Sequence, residues 1–232
     1  MKPKTSIIIP VRNGARFVAE AIASVLKQAH EYDEVVAVDD GSTDETAAIL
    51  AGITNRRLRL LSTGGRGVSV ARNRGIAESQ GAFIAFLDHD DLWPAGRHAA
   101  LTMTLDQDDG LDAAFGRIAR RIEPGARPTA ESKVLGHHAP WLVGSGLYRR
   151  RLLEQIGGFA ENLAEGEDVD FHLRLLEAGM RIGLCEATSL IRRHHDANTA
   201  DEPAEAESRR LDVLRRKLAR QKASAAVRSE RG

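Results

Sequence analysis

Four short apolar runs, Ser6–Ile9, Glu34–Val38, Arg57–Leu61 and Ala82–Leu87, alternate with helix-length stretches along the first part of the chain. This alternation constrains the fold more than any other feature. A strand, a helix and a second strand close as a crossover, and repeated units build a parallel sheet covered by helices. The first helix presents Phe17, Val18, Ala21, Ile22, Val25 and Leu26 on one face at helical spacing. The second opens with Ser42-Thr43-Asp44-Glu45, a capping box in which Ser42 and Glu45 satisfy each other's backbone donors. The third is expected from Val68 to Gln80, with Gly81 as its stop.

Three of the four strands finish in polar residues: Pro10-Val11-Arg12-Asn13, Asp39-Asp40-Gly41-Ser42 and Asp88-His89-Asp90-Asp91. In a parallel sheet these ends share one edge, where open α/β folds take their ligands. Carboxylates gathered there repel one another unless a cation or a hydrogen-bonding ligand satisfies them. The pattern therefore predicts a site. Asp88 and Asp90, two residues apart on an extended turn, offer hard oxygen ligands of the kind Mg²⁺ or Mn²⁺ takes. The competing reading is structural, with Asp91 capping a helix ahead of Leu92-Trp93-Pro94.

The second half is less regular. Pro94 suits the first turn of a helix running towards Leu105. A polar turn over Asp106 to Gly110 precedes a strand at Ala113–Ile118, and Glu123 to Lys133, rich in Pro, Gly and charge, reads as a mobile loop. Helices are expected at Arg149–Ile156 and Asp168–Ala178, the latter ended by Gly179, and a strand at Arg181–Cys185 before the Arg192–Asn198 cluster. From about Pro203 the pattern is helical. Residues 209–232 carry nine Lys/Arg against Asp212 and Glu230, and Leu211, Leu214 and Leu218 form a narrow stripe. That stripe suits self-association or another partner, and the charge suits peripheral contact with a membrane.

Composition excludes several classes. Lys+Arg and Asp+Glu both number 33, so no basic excess points to nucleic acid. Cys185 is the single cysteine, which rules out an internal disulfide and points to a reducing compartment. No stretch approaches the ~20 apolar residues of a membrane span, and Ile7–Ile9, cut off by Pro10, is too short for a secretory signal. The expectation is a cytoplasmic protein, peripheral at the inner membrane face at most.

Further motifs extend the pattern: Ala71-Arg-Asn-Arg-Gly75, Ile156-Gly-Gly-Phe159, Gly166-Glu-Asp-Val-Asp-Phe171 and His195-Asp-Ala-Asn198. With Ser6-Ile-Ile-Ile-Pro-Val-Arg-Asn13, Val38-Asp-Asp-Gly-Ser-Thr-Asp44 and Phe86-Leu-Asp-His-Asp-Asp-Leu-Trp93, they occur in the order found in family-2 glycosyltransferases, which the chain resembles over roughly residues 5 to 200. The resemblance implies a GT-A type nucleotide-sugar fold with a mostly parallel central sheet. It implies a catalytic domain over 1–200, with a nucleotide-sugar-binding half at 1–93, an acceptor-facing half at 94–200 and a basic tail at 201–232.

The same resemblance implies roles. Pro10, Arg12 and Asn13 would border the nucleotide, and Asp39 or Asp40 would bond the imide edge of its base. Arg72 would lie near the diphosphate. Asp88 would contact the ribose or the metal, Asp90 would ligate Mn²⁺ or Mg²⁺, and His195, with His194 beside it, would add a metal or diphosphate contact. Asp168 would be the base that takes the acceptor's proton, with Glu167 and Trp141 facing the acceptor. Family members more often carry an aromatic residue where this chain has Arg12, although a guanidinium plane also stacks on a base. The Gln-x-x-Arg-Trp motif of processive members is absent. The implied activity is a metal-dependent, inverting hexosyltransferase adding a single sugar from a nucleotide-sugar, a UDP-sugar first, to a saccharide, lipid-linked or peptide hydroxyl. A non-catalytic nucleotide-sugar-binding module is the alternative; it would lack the base or a metal ligand, whereas Asp88, Asp90 and Asp168 are all present. An NAD-dependent enzyme is disfavoured because no G-x-G-x-x-G follows the first strand.

Overall fold

The computed structural model describes residues 4–126, 137–138, 142–163 and 166–196, together with Arg216 and Arg220. In chain order the elements are β1 (Thr5–Val11), α1 (Val18–Leu26), β2 (Glu34–Asp39), α2 (Thr46–Gly52), β3 (Leu58–Ser62), α3 (Val68–Glu78), β4 (Phe83–Phe86) and α4 (Arg97–Asp106). Then follow β5 (Ala113–Ile122), β6 (His137–His138), β7 (Gly146–Arg149), α5 (Arg150–Ile156), α6 (Glu167–Glu177) and β8 (Ile182–His194). They form one mixed sheet in the order β3-β2-β1-β4-β7-β5-β6, with β8 also paired to β5. Strands β1 to β4 are mutually parallel, and β7 enters antiparallel between β4 and β5.

Both faces of the parallel half are covered, which is why its strands read as continuous apolar runs. Ile7, Ile9, Val35, Ala37 and Ala85 face α1 and α4, packing with Val18, Ile22, Val25, Leu101 and Leu105. Ile8, Val36, Val38, Ile84 and Phe86 face the other way, against Ala71 of α3, Leu152 and Leu153 of α5, and Phe171 and Leu175 of α6. Burying an aliphatic side chain of this size contributes about 1.5–3 kcal/mol, so Ile7, Ile8 and Ile9, all fully buried, anchor the central strand. Gly75 lets α3 lie close on β1, because a Cβ there would stand 2.5 Å from an Ile8 methyl.

Several expectations need correction. Helix α3 stops at Ser79, which turns extended, and Gly81 instead donates its N–H to the Ser6 hydroxyl at 2.8 Å. Helix α4 starts at Arg97 after a left-handed Gly96, not at Pro94. Strand β8 runs well past Cys185, because pairing with β5 carries it through Arg192 and Arg193. Gly179 does close α6 in a left-handed conformation. Residues 127–133 of the loop expected to be mobile, along with Trp141, Asn198 and most of the basic tail, lie outside the described residues. Among the described residues no helix is long and apolar enough to cross a membrane.

Candidate active site

The ends of β1, β2 and β4 meet on one edge, and local hydrogen bonds shape each. Val11 is in register with Asp39, and its carbonyl accepts the Asp40 N–H at 2.8 Å. Asn13 takes a left-handed backbone (φ 51°). Its N–H donates to the Ser42 hydroxyl at 2.9 Å, and its Oδ1 accepts the Thr43 N–H at 2.8 Å. Ser42 in turn donates to Asp39 Oδ1 at 2.6 Å. The expected capping box does not form: the Ser42 hydroxyl is committed to Asp39, and α2 begins at Thr46 with no side-chain cap bond. Asp40 is buried, and its carboxylate accepts from Thr63 Oγ1, Arg66 N and Gly67 N at 2.6, 2.7 and 2.8 Å. It thereby folds the Gly-rich turn that launches α3, and Asp39 is the more accessible of the two.

The segment after β4 is held by residues a hundred positions away. Leu92 and Ile191 form an isolated antiparallel bridge, which brings the end of β8 beside Asp88-His89-Asp90-Asp91. The Arg193 N–H donates to Asp91 Oδ1 at 2.9 Å, and its Nε donates to the Asp90 carbonyl. Burial, with Asp90 and Asp88 adding repulsion, pushes the Asp91 carboxyl well above the usual carboxylate range. Asp91 therefore bonds β8 rather than capping a helix. His195, buried against the Phe17 ring at 4.5 Å, places Nε2 3.1 Å from Asp90 Oδ2. His89 packs over Gly14, where a Cβ would stand 2.6 Å from its ring, so only glycine admits this turn so close to β1.

Arg72 is the centre of the charged constellation. It projects from α3, is 3% exposed, and lies over the Phe159 ring at 5.1 Å. Nη1 donates to Asp168 Oδ1 at 2.6 Å and Glu167 Oε1 at 3.0 Å, and Nη2 to Asp88 Oδ1 at 2.9 Å. One cation thus faces three carboxylates. Burial pushes Asp168 up to about 7, Arg72 opposes this, and Glu167 and Asp88 add to it. At Asp88 burial also acts upward, but Arg72, with His89 and Arg192 adding to it, offsets this and holds that carboxyl below the usual range. Two carboxyls on one guanidinium are therefore driven in opposite directions, the pattern expected where one group must hold and release a proton.

Asp168 sits in the first turn of α6, whose left-handed N-cap is Gly166. Below it His172, buried and pushed down to about 4 by burial, places Nδ1 2.8 Å from the Asp168 carbonyl. A carbonyl only accepts, so Nδ1 carries the proton and Nε2 is left as an acceptor 3.3 Å from the Tyr148 hydroxyl, whose one proton it shares with the Val143 carbonyl, also at 3.3 Å. Neither His172 nor Tyr148 is among the expected site residues; His172 lies one helical turn after Asp168 in sequence, whereas no local signal marks Tyr148.

The cleft has a volume of about 280 Å³ and is lined by Pro10, Val11, Arg12, Val68, Arg72, Asp88, His89, Asp90 and Glu167. Of the expected residues it gathers Pro10, Arg12, Arg72, Asp88, Asp90 and Glu167. Asn13 and Asp40 instead bond the turns around it, Asp39 supports Ser42, and Asp168 borders it through Arg72. Arg193, Asn73 and Phe159 were not anticipated. Asn73 fixes the Phe159 backbone with two hydrogen bonds, at 2.9 and 2.8 Å, beneath the Arg72 guanidinium. As to a metal, Asp90 and His195 converge; the carboxylate offers an oxygen of the kind Mn²⁺ or Mg²⁺ takes, and the imidazole nitrogen suits Mn²⁺ better than Mg²⁺. Among the described residues no group of three ligating side chains is gathered.

Comparison with known proteins agrees with this architecture. The family model described as glycosyl transferase family 2 matches residues 6–162. EpsJ of Bacillus subtilis, an uncharacterized glycosyltransferase, is 28% identical over 222 residues, covering 88% of this chain and 64% of EpsJ. TuaG of the same organism, a putative teichuronic acid biosynthesis glycosyltransferase, is 39% identical over 95 residues, 40% of this chain and 38% of its own. Among solved structures, S. aureus TarS 1–349 in complex with UDP-GlcNAc has a TM-score of 0.68 at 24% identity, covering 85% of this chain and 60% of that one. The chain spans less than two thirds of the length of each of these relatives.

Proposed function

Since the chain belongs to glycosyl transferase family 2, we propose that it moves a single sugar from a nucleotide-sugar, a UDP-sugar, to an acceptor hydroxyl with inversion, in the assembly of a glycan or polysaccharide. The observation that carries this is the Arg72 constellation, in which Asp168, pushed up to about 7, stands beside a cleft edged by Asp88 and Asp90. A carboxyl with that affinity takes a proton from a hydroxyl at neutral pH more readily than an ordinary one. Inverting displacement needs only one such base, since no covalent intermediate forms. TarS, a neighbour in fold, has been crystallised with UDP and with UDP-GlcNAc, and TuaG is named for teichuronic acid biosynthesis; both support the donor and the setting.

In this reading Pro10 and Arg12 border the base, Asp39 accepts from its imide edge, and Asp88 receives the ribose. Glu167 faces the acceptor. Asp90 and His195 would hold Mn²⁺ or Mg²⁺, with Asp88 close by. A bound divalent cation supplies neutralisation of the charge on the departing nucleoside diphosphate. Arg72 keeps Asp168 and Asp88 in fixed relation, so the base and the donor site share one support. A cytoplasmic location fits a nucleotide-sugar donor. Calorimetric titration with UDP, GDP and dTDP, with and without Mn²⁺, tests the reading. Metal-dependent binding of UDP is expected; a folded protein that binds no nucleotide would reject it.

A further inference from the structure

A buried cation ties the Asp88–Asp91 turn to α1 and β8. Arg193, near the end of β8, is 1% exposed. Its main-chain N–H donates to Asp91 Oδ1 at 2.9 Å, and its Nε donates to the Asp90 carbonyl. Nη1 donates to Glu20 Oε2 on α1 at 2.5 Å, and Nη2 reaches the Phe17 carbonyl at 3.4 Å. Glu20 accepts Arg121 Nη1 on its other oxygen at 3.2 Å, which holds the anchoring carboxylate from a second side.

The Phe17 ring carries this arrangement to His195. The Arg193 guanidinium lies 4.7 Å from the centroid of that ring, and the His195 ring lies 4.5 Å from it. His195 Nε2 is in turn 3.1 Å from Asp90 Oδ2. Arg193 therefore bears on both members of the pair, on Asp90 through its carbonyl and on His195 through Phe17. A buried ion pair adds little net stability, because desolvation offsets the attraction. A planar fork of donors in fixed directions does supply geometry, and a lysine ammonium in its place keeps the charge without the fork.

We propose that Arg193 is a positioning residue that holds the Asp90 carboxylate and the His195 imidazole in the relation they need to share a cation, with Glu20 as its anchor on α1. The cation rests on the function proposed above; the geometry of the pair does not. The full-length parent chain is compared with Arg193→Lys and with Glu20→Gln, which alters a side chain that is 51% exposed. Mn²⁺ is titrated with UDP present, and the His195 ring nitrogens are followed by NMR without metal. Arg193→Lys is expected to weaken Mn²⁺ binding about 10–100-fold, as loss of a partner that orients metal ligands typically does, and Glu20→Gln at least about threefold. The His195 ring signals should move in both variants, UDP affinity without metal should stay at the parent value, and saturating Mn²⁺ should recover most of kcat. A residue that only stabilised the fold would lower the unfolding midpoint and leave the Mn²⁺ constant and the ring signals of the folded protein in place. That result in Arg193→Lys overturns the proposal, and if Arg193→Lys does not fold, the same result in Glu20→Gln does so. A parent chain that binds neither UDP nor Mn²⁺ strikes the proposed function instead, and the ring signals alone then decide whether Arg193 holds the pair.

Discussion

Arg72 Nη1 lies 2.6 Å from Asp168 Oδ1, joining residues 96 positions apart in the chain. The same guanidinium reaches Asp88 at 2.9 Å. The expected base and the sheet edge that takes the donor are therefore held by one side chain, and a change at Arg72 acts on both.

Arg72→Met leaves Asp88, Glu167 and Asp168 without their shared cation. Breaking a buried ion pair from one side typically costs about 3–5 kcal/mol; because all three carboxylates keep some exposure to water, a loss near ~3 kcal/mol at neutral pH is expected. Arg72 is also the strongest influence holding the Asp168 carboxyl down against burial, so the variant should need a higher pH for activity. Urea unfolding at neutral pH and the pH profile of transfer check the two halves. Unchanged values of both would show that the cation is dispensable.

Asp168→Asn removes the base and keeps the shape. General-base catalysis is worth about 10²–10⁴-fold, so kcat should fall by that factor while UDP binding stays close to that of the parent protein. In the parent protein the rate should rise with pH through about 7, since Asp168 accepts a proton only when ionised and its pKa is raised to that value. A profile flat from about pH 5.5 to about pH 8 would assign the base elsewhere.

Asp90→Ala and His195→Ala address the proposed cation. Each removes one member of the 3.1 Å pair, and losing one ligand or its orienting partner typically weakens metal affinity about 10–100-fold. Titration of Mn²⁺ into the protein with UDP present should show weakening of that order in both variants. Metal dependence of UDP binding identical to that of the parent protein would remove Asp90 and His195 as ligands.

Much of this site was legible in the sequence, and the remainder has a common physical cause. Strand positions were readable because burial on both faces leaves an unbroken apolar run, as in Ile7-Ile8-Ile9 and Phe83–Phe86. The polar ends shared an edge because parallel strands put their C-termini together, and Asp39, Asp88 and Asp90 are found there. Side-chain partners were illegible where a competing partner, near or far in the chain, displaced the expected one. Ser42 bonds Asp39 instead of forming its capping box, and Asp91 bonds the Arg193 N–H. The antiparallel entry of β7 between β4 and β5 follows from long-range pairing that no local period encodes.

His172 makes stability depend on pH. Burial holds its folded-state pKa down to about 4 from the ordinary histidine value of 6.5, and its Nδ1–H donates to the Asp168 carbonyl at 2.8 Å. Between those values the unfolded chain binds a proton that the folded chain does not, so stability rises with pH across the window. Read downward, the contribution is intact above pH ~6.5, begins to fall there, and is lost by pH ~4. A shift of this size corresponds to at most about 3 kcal/mol at 1.36 kcal/mol per unit. Carboxylates with lowered pKa values add losses at the acid end of the same range, so the parent protein alone does not isolate the histidine. His172→Gln keeps a hydrogen-bonding side chain and removes the titration. The difference in unfolding free energy between parent and variant should shrink as pH falls from about 7 to about 5, across the ordinary histidine value. A difference constant with pH would mean that His172 does not titrate on unfolding, and the neutral tautomer assigned beneath Asp168 would have to be abandoned.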